Sequence, residues 1–429
     1  MTDAAGAPQV PHPGGGRAIS PLSPVPETPA LSARLAALVA DARSEQTRQA
    51  YAADWRRWEA WCARDGRRSL PAVPVDVAEY LAQYATCVED GRNRPYAAAT
   101  LMRWVAGIDA MHAAHHLPQP GGDEIVRKAL AGARHRQARA RQVAMPGQAE
   151  PLTLADLRLM LTAIASTTWP GGIIAARDAA LLLTGFVGGR RRSELVTARI
   201  HDLRWHAHDG FHWVLPFSKT DQEGAGHTVV LPRGKHTLTC VACALTRWLG
   251  LRAVLGAAAA TPPGYDESVL AASTRSRLVG RRQRVAAMWF LRQQKKMRQG
   301  SEAHVCQTPP GWRAPGAPPL VVPLSRLPLG FAATDALFVA VHRTGRVGRS
   351  LSGEAVTDAL LRARRKAGLP TQGFSAHSLR AGFVTEADRA QATVLEIQQQ
   401  TGHRTHESVA VYRRRHCPAD GNAVSKLGL

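Results

Sequence analysis

The 429 residues carry 55 Lys and Arg against 33 Asp and Glu, a formal charge of +22, which is enough chain for two ordinary domains and a balance that suits a polyanionic partner. Nucleic acid heads that list, because no apolar run of the ~18 residues needed to cross a bilayer is present and the opening MTDAAGAPQVPHPGGG has no apolar signal core. A cytoplasmic protein with no membrane partner is expected.

Residues 1–30, rich in Gly, Pro and Ala, bury too little apolar surface to offset ordering entropy and read as a disordered tail. From about 44 helical periodicity sets in. Tyr51, Trp55, Trp58 and Cys62 share one face, and Val77, Tyr80, Leu81 and Tyr84 a second. A third helix, capped by Thr100, carries Leu101, Trp104, Val105, Ile108 and Met111, and a shorter fourth presents Ile125, Val126, Ala129 and Leu130. A helical bundle over 31–133 follows. Residues 134–150 form a basic linker in which Arg134, Arg136, Arg139 and Arg141 either contact phosphate or solvate a helix end.

The second domain, 151–417, opens on Thr153 as a helix cap before Leu157, Met160, Leu161 and Ile164. A buried helix covers 179–183. The runs 212–217 and 227–231 flank a polar, glycine-containing stretch and predict a β-hairpin, and helical patterns return at 241–255, 354–366, 377–389 and 393–400. Residues 256–333, Pro-, Gly- and Ala-rich around a basic stretch, interrupt the domain as an insertion expected to lie outside its core, and 418–429 form a C-terminal tail. The fold class is mainly α with a small antiparallel sheet. The scattered cysteines are expected reduced. Cys240 and Cys243 form a C-x-x-C, half of a zinc pattern; only His304 and Cys306 offer a second pair, and no metal is expected from a match so short.

Three clusters in the second domain belong together. In GGRRRSELVTARIHDL, Arg191 stands two before Ser193, ahead of neighbouring Arg190 and Arg192; AHSLRAGF holds His377 and Arg380; TGHRTHESVAVYRRR places His403 nine residues before Tyr412, with His406 set aside as a decoy; and SKTDQEG supplies Lys219 on the hairpin. Taken alone, each is a helix-start charge, a surface pair, a turn or a half-buried tyrosine. Jointly and in this order they resemble the active-site boxes of the tyrosine recombinases of the phage-integrase type, and the helical bundle resembles that family's core-binding domain. The likeness runs over about 40–417 apart from the insertion, which sets Lys219 and His377 158 positions apart (219 to 377).

The resemblance implies a recombinase that cleaves and rejoins double-stranded DNA through a 3′-phosphotyrosine on Tyr412, with no cofactor, metal or ATP. It further implies a homo-tetramer on a DNA synapse, accessory DNA-bending proteins and residence on the nucleoid. The chemistry suits the residue types. Planar guanidinium groups clamp two phosphate oxygens at once, the role of Arg191 and Arg380. His377 is the candidate base for a phenol with a pKa near 10; His403 donates a hydrogen bond to the phosphate, Lys219 protonates the departing 5′ oxygen, and Glu194 supports the first arginine. The alternatives are a type IB topoisomerase-like strand transferase and an inactive DNA-binding regulator.

Overall fold

The computed structural model describes residues 45–86, 95–141, 149–215, 226–259, 272–299, 304, 306, 321–323, 332 and 335–409. Both tails, Lys219, Tyr412 and the side chain of Arg141 lie outside the described residues. The chain divides into two compact units at Pro146 and Gly147.

The first unit is four helices, α1 (Glu45–Arg64), α2 (Pro74–Thr86), α3 (Ala98–Ala114) and α4 (Glu124–Arg141). Its core is aromatic. Trp58, Tyr80, Leu81, Leu101 and Trp104 are almost wholly buried, and Tyr80 meets Trp58, Trp61, Tyr84 and Trp104 with ring centroids 5.1–5.3 Å apart, within the range where edge and tilted contacts add to area burial. The indole N–H groups buried with these rings are partnered: Trp58 donates to the Ser69 carbonyl at 3.0 Å and Trp61 to Gln83 at 2.6 Å. Buried His112 donates through Nδ1 to the Ile108 carbonyl and accepts the Ala72 N–H at Nε2, each at 2.8 Å, so it is a core histidine and not a site residue.

Two expectations for this unit are corrected. Ala97, not Thr100, is the N-cap of α3, and the Gln137 side chain of α4 accepts the Ala98 N–H at 2.9 Å. Residues 134–141 are not a linker but the last two turns of α4, because Ala133, Ala138 and Ala140 alternate there with Arg and Gln, all good helix formers, and no proline intervenes. Arg134, Arg136 and Arg139 are exposed on those turns.

The second unit begins with α5 (Leu154–Ile164), capped by the Thr153 hydroxyl accepting the Asp156 N–H, then α6 (Gly171–Val187) and the short α7 (Arg192–Thr197). A four-stranded antiparallel sheet follows in the order β3-β2-β1-β4, built from β1 (Leu203–His206), β2 (Gly210–Leu215), β3 (His227–Pro232) and β4 (Val321–Pro323). The hairpin of β2 and β3 stands where the alternation places it: Phe211, Trp213, Val229 and Leu231 are buried. Helix α8 (Val241–Ala259) and helix α9 (Ala272–Gln299) come next, then the hairpin β5 (Val339–Val341) and β6 (Val347–Ser350), and α10 (Gly353–Lys366), α11 (His377–Arg389) and α12 (Val394–Thr401).

The segment 256–333 is not outside the core. Its helix α9 buries Ala287 and Leu291, one turn apart, in the same apolar cluster as α6 and α8, and Leu291 reaches so close to Gly172 of α6 that a Cβ there would collide with it. Its strand β4 pairs with β1. Beyond it, Trp248 and Arg252 of α8 donate to the carbonyls of Leu337 and Ala336 at 2.8 and 2.6 Å, fastening the returning chain.

Candidate active site

Three segments far apart in sequence meet at one place. The first is the turn after α6, where Gly189 takes φ +59° against Thr401 and Phe383 and a side chain would clash. That turn delivers two arginines to different environments. Arg190 is almost fully buried and donates to the carbonyls of Gly188 and Gln400. Arg191 is the N-cap of α7, reaches solvent, and is held by Glu194, which accepts its backbone N–H and its guanidinium, each at 3.0 Å. Glu194 thus orients Arg191 as the sequence suggested.

The second segment is the first turn of α11. His377 opens the helix at the surface, and Arg380, one turn on, is buried and donates through Nη1 to the carbonyls of Gly189 and Thr401, both at 2.7 Å. The third is the end of α12. Gly402 closes it in the left-handed conformation at φ +68°, which turns His403 back toward the arginines. Its Nδ1 lies 2.7 Å from the Thr401 hydroxyl, and that hydroxyl lies 2.6 Å from the Ile397 carbonyl. A carbonyl only accepts, so the hydroxyl donates to Ile397 and accepts from Nδ1–H. Neutral His403 therefore carries its proton on Nδ1 and a lone pair on Nε2.

Burial holds His403 down to a pKa of about 3, with the like charges of Arg380, Arg191, His377 and Arg190 adding to the effect. Partial desolvation, then Arg380 and Arg191, lower His377 as well. Both imidazoles are neutral at pH 7. Arg380 and His403 are joined through Thr401, and the charges of Arg191 and Arg380 act on both imidazoles, so the four lie in one positively charged neighbourhood in which Glu194 is the carboxylate paired with Arg191.

A pH dependence follows. An unfolded chain protonates His403 near its ordinary 6.5, the folded protein only near about 3. Between those values the unfolded state binds the extra proton, so the stability tied to this residue is complete above pH 6.5 and is lost as pH falls toward 3. His403→Gln should show a shallower fall in Tm between pH 6.5 and 4 than the parent in a thermal melt series without DNA; parallel curves would count against the buried neutral ring.

The sequence reading missed Thr401, which sets the tautomer of His403, and Arg190, dismissed as a neighbour but holding the turn against α12. Only the Gly-Gly preceding the arginines hinted at so tight a turn. The missing half of the C-x-x-C is also supplied by the fold: His304 and Cys306 lie against Cys240 and Cys243. Among the described residues no helix is long and apolar enough to cross a membrane.

An integrase/recombinase xerD homolog of Selenomonas ruminantium is 29% identical over 191 residues, 44% of this chain. Over that stretch the chain is similar to an integrase/recombinase. The match spans 51% of that recombinase's length, and no protein-family model matches. Among solved structures, XerA recombinase covers 91% of this chain and 94% of its own at 14% identity and a TM-score of 0.35. A lambda integrase dimer bound to a core site covers 88% and 92% at 15% identity and 0.40. TM-scores this low decide neither fold nor function.

Proposed function

We propose that the chain is a site-specific DNA recombinase or integrase in which Tyr412 attacks one strand, keeps the 3′ end as a phosphotyrosine and yields a free 5′-hydroxyl, and a second 5′-hydroxyl reverses the step on a new strand. The observation that carries this is the meeting of Arg191, His377, Arg380 and His403 from three segments in one positively charged neighbourhood. Two guanidinium groups suit the non-bridging oxygens of a phosphodiester under attack. Neutral His377 is able to take the phenol proton at pH 7. His403 accepts at Nε2 in the free protein, so it donates to a phosphate only as the imidazolium, a form the arriving negative charge favours. The bond energy stays in the phosphotyrosine, which is why no ATP is called for.

Double-stranded DNA is the substrate, and a homo-tetramer on a synapse, accessory DNA-bending proteins and residence on the nucleoid belong to the same reading. Trapping covalent complexes in the native host and sequencing the attached DNA supplies the site. On a nicked duplex carrying it, the chain should form a detergent-resistant adduct in buffer without Mg²⁺ or ATP, and a plasmid bearing two copies should recombine. Relaxation of any supercoiled plasmid without recombinants would favour a type IB topoisomerase-like enzyme, and a mobility shift with no adduct an inactive regulator.

The exposed Arg134, Arg136 and Arg139 of α4, together with Arg141, are assigned to the DNA backbone. Every phosphate that is no longer neutralised lowers the slope of log affinity against log salt by about 0.9. Replacing Arg134, Arg136 and Arg139 by Ala should flatten that slope by about one to three in a salt titration, with equal effect on specific and unrelated duplexes; an unchanged slope would return these arginines to the role of solvated helix end.

A further inference from the structure

Cys240 immediately precedes α8 and Cys243 lies in its first turn, both buried, while His304 and Cys306 return to them from beyond α9 and are half-buried. The sulfur of Cys306 is 3.7 Å from that of Cys240 and 3.6 Å from that of Cys243, and Nε2 of His304 is 3.8 Å from the Cys243 sulfur. One ligand atom from each of the four falls within 4.8 Å of every other. A disulfide needs sulfurs at ~2.05 Å. A tetrahedron with metal–sulfur bonds of ~2.3 Å and a metal–nitrogen bond of ~2.05 Å has edges of about 3.6–3.8 Å, which is the spacing of these three pairs.

The surroundings are arranged as ligands require. The Thr237 hydroxyl lies 2.9 Å from Nδ1 of His304; accepting from Nδ1–H, it leaves the Nε2 lone pair for a metal. The N–H groups of Gly234 and Cys243 point at the Cys240 sulfur at 3.2 and 3.4 Å, where they favour a thiolate. Gly234 comes so near that a Cβ would sit 2.9 Å from the Cys240 Cα.

We propose that Cys240, Cys243, His304 and Cys306 bind one structural Zn²⁺ that fastens the chain leaving α9 to the start of α8. Three thiolates and an imidazole fill a closed tetrahedron, with no position open for water or substrate, and the soft donor set selects zinc over magnesium or calcium. The tie spans 63 residues between Cys243 and Cys306, a loop whose closure costs chain entropy that a metal bond offsets. It bears on the position of α9 and not on phosphoryl transfer.

The test is elemental analysis of the full chain purified under reducing conditions without chelator. One zinc per chain is expected. Cys306→Ser and His304→Ala should each drop to near zero, while His212→Ala, in the surface group His206, Asp209 and His212 that also clusters, should leave the stoichiometry unchanged. Should those variants fail to fold, Co²⁺ exchanged into the parent chain gives a second reading: tetrahedral d–d bands with thiolate charge transfer are expected. Parent chain carrying no zinc, with every thiol titratable and no cobalt spectrum, would overturn the proposal, as would iron in place of zinc or a Cys240–Cys306 disulfide in the native mass. Because the readout is metal content, its failure leaves the recombinase reading untouched, and absence of DNA cleavage leaves the zinc site untouched.

Discussion

Tyr412→Phe is expected to bind target DNA with unchanged affinity and to form no covalent adduct on a nicked suicide substrate. The substitution deletes one oxygen, and affinity for a duplex comes mainly from phosphate contacts made elsewhere. A phenol of pKa near 10 is ionised to only about one part in a thousand at pH 7, so attack requires both a base and a field. On the proposed mechanism His377, its pKa lowered by burial and the neighbouring arginines, is the base, and Arg191 and Arg380 are the source of the field. Denaturing gels of radiolabelled substrate measure the adduct, and peptide mapping locates it. An adduct recovered on another tyrosine would sink the assignment. Tyr412→Phe is also a cleaner inactive control than Arg380→Ala, which would strip the carbonyls of Gly189 and Thr401 of their donor and loosen the turn that presents Arg191.

Lys219→Ala should slow single-turnover cleavage of ordinary DNA by about 10²–10⁴-fold, the usual cost of losing a general acid. The leaving 5′ oxygen departs as a strongly basic alkoxide unless it is protonated. With sulfur in the bridging position the leaving group is a thiolate, which needs no proton, and the defect should largely vanish. Arg191→Ala and Arg380→Ala should remain slow on both substrates, because the non-bridging charge still lacks its clamp. A Lys219→Ala rate that sulfur fails to restore would remove Lys219 from the acid role and turn attention to Lys235 or His377.

Local chemistry was legible and tertiary rescue was not. The faces of α1, α2 and α5 could be read because Trp58, Tyr80 and Leu161 repeat at helical spacing and are buried as that spacing requires. Arg191, His377, Arg380 and His403 could be listed from their boxes, but nothing in those boxes shows that Arg380 bridges two of the three segments. Strand β1 escaped notice because Leu203–His206 is four residues long and alternates with Arg and His. The cap of α3 comes from Gln137, 39 residues away, so no rule about adjacent residues could find it. Helix α9 was hidden by its charge: Arg and Lys dominate the stretch, and among the described residues Ala287 and Leu291, with Phe290 partly buried beside them, mark the face packed on the core. The cysteine pair looked orphaned because its partners stand 61 and 63 residues downstream of Cys243, far beyond a short motif.

The strand order β3-β2-β1-β4 bears on how the chain is made. During synthesis β1 can pair with β2 at once, but its other edge waits for Val321–Pro323, about 115 residues later (206 to 321). At ~5–20 residues per second that interval is on the order of ten seconds, during which the N–H and C=O groups along one side of Leu203–His206 have no strand beside them. An open edge of this kind invites pairing with another nascent chain, so on a polysome the yield of folded protein should fall as initiation rate rises, and slowing expression should recover it.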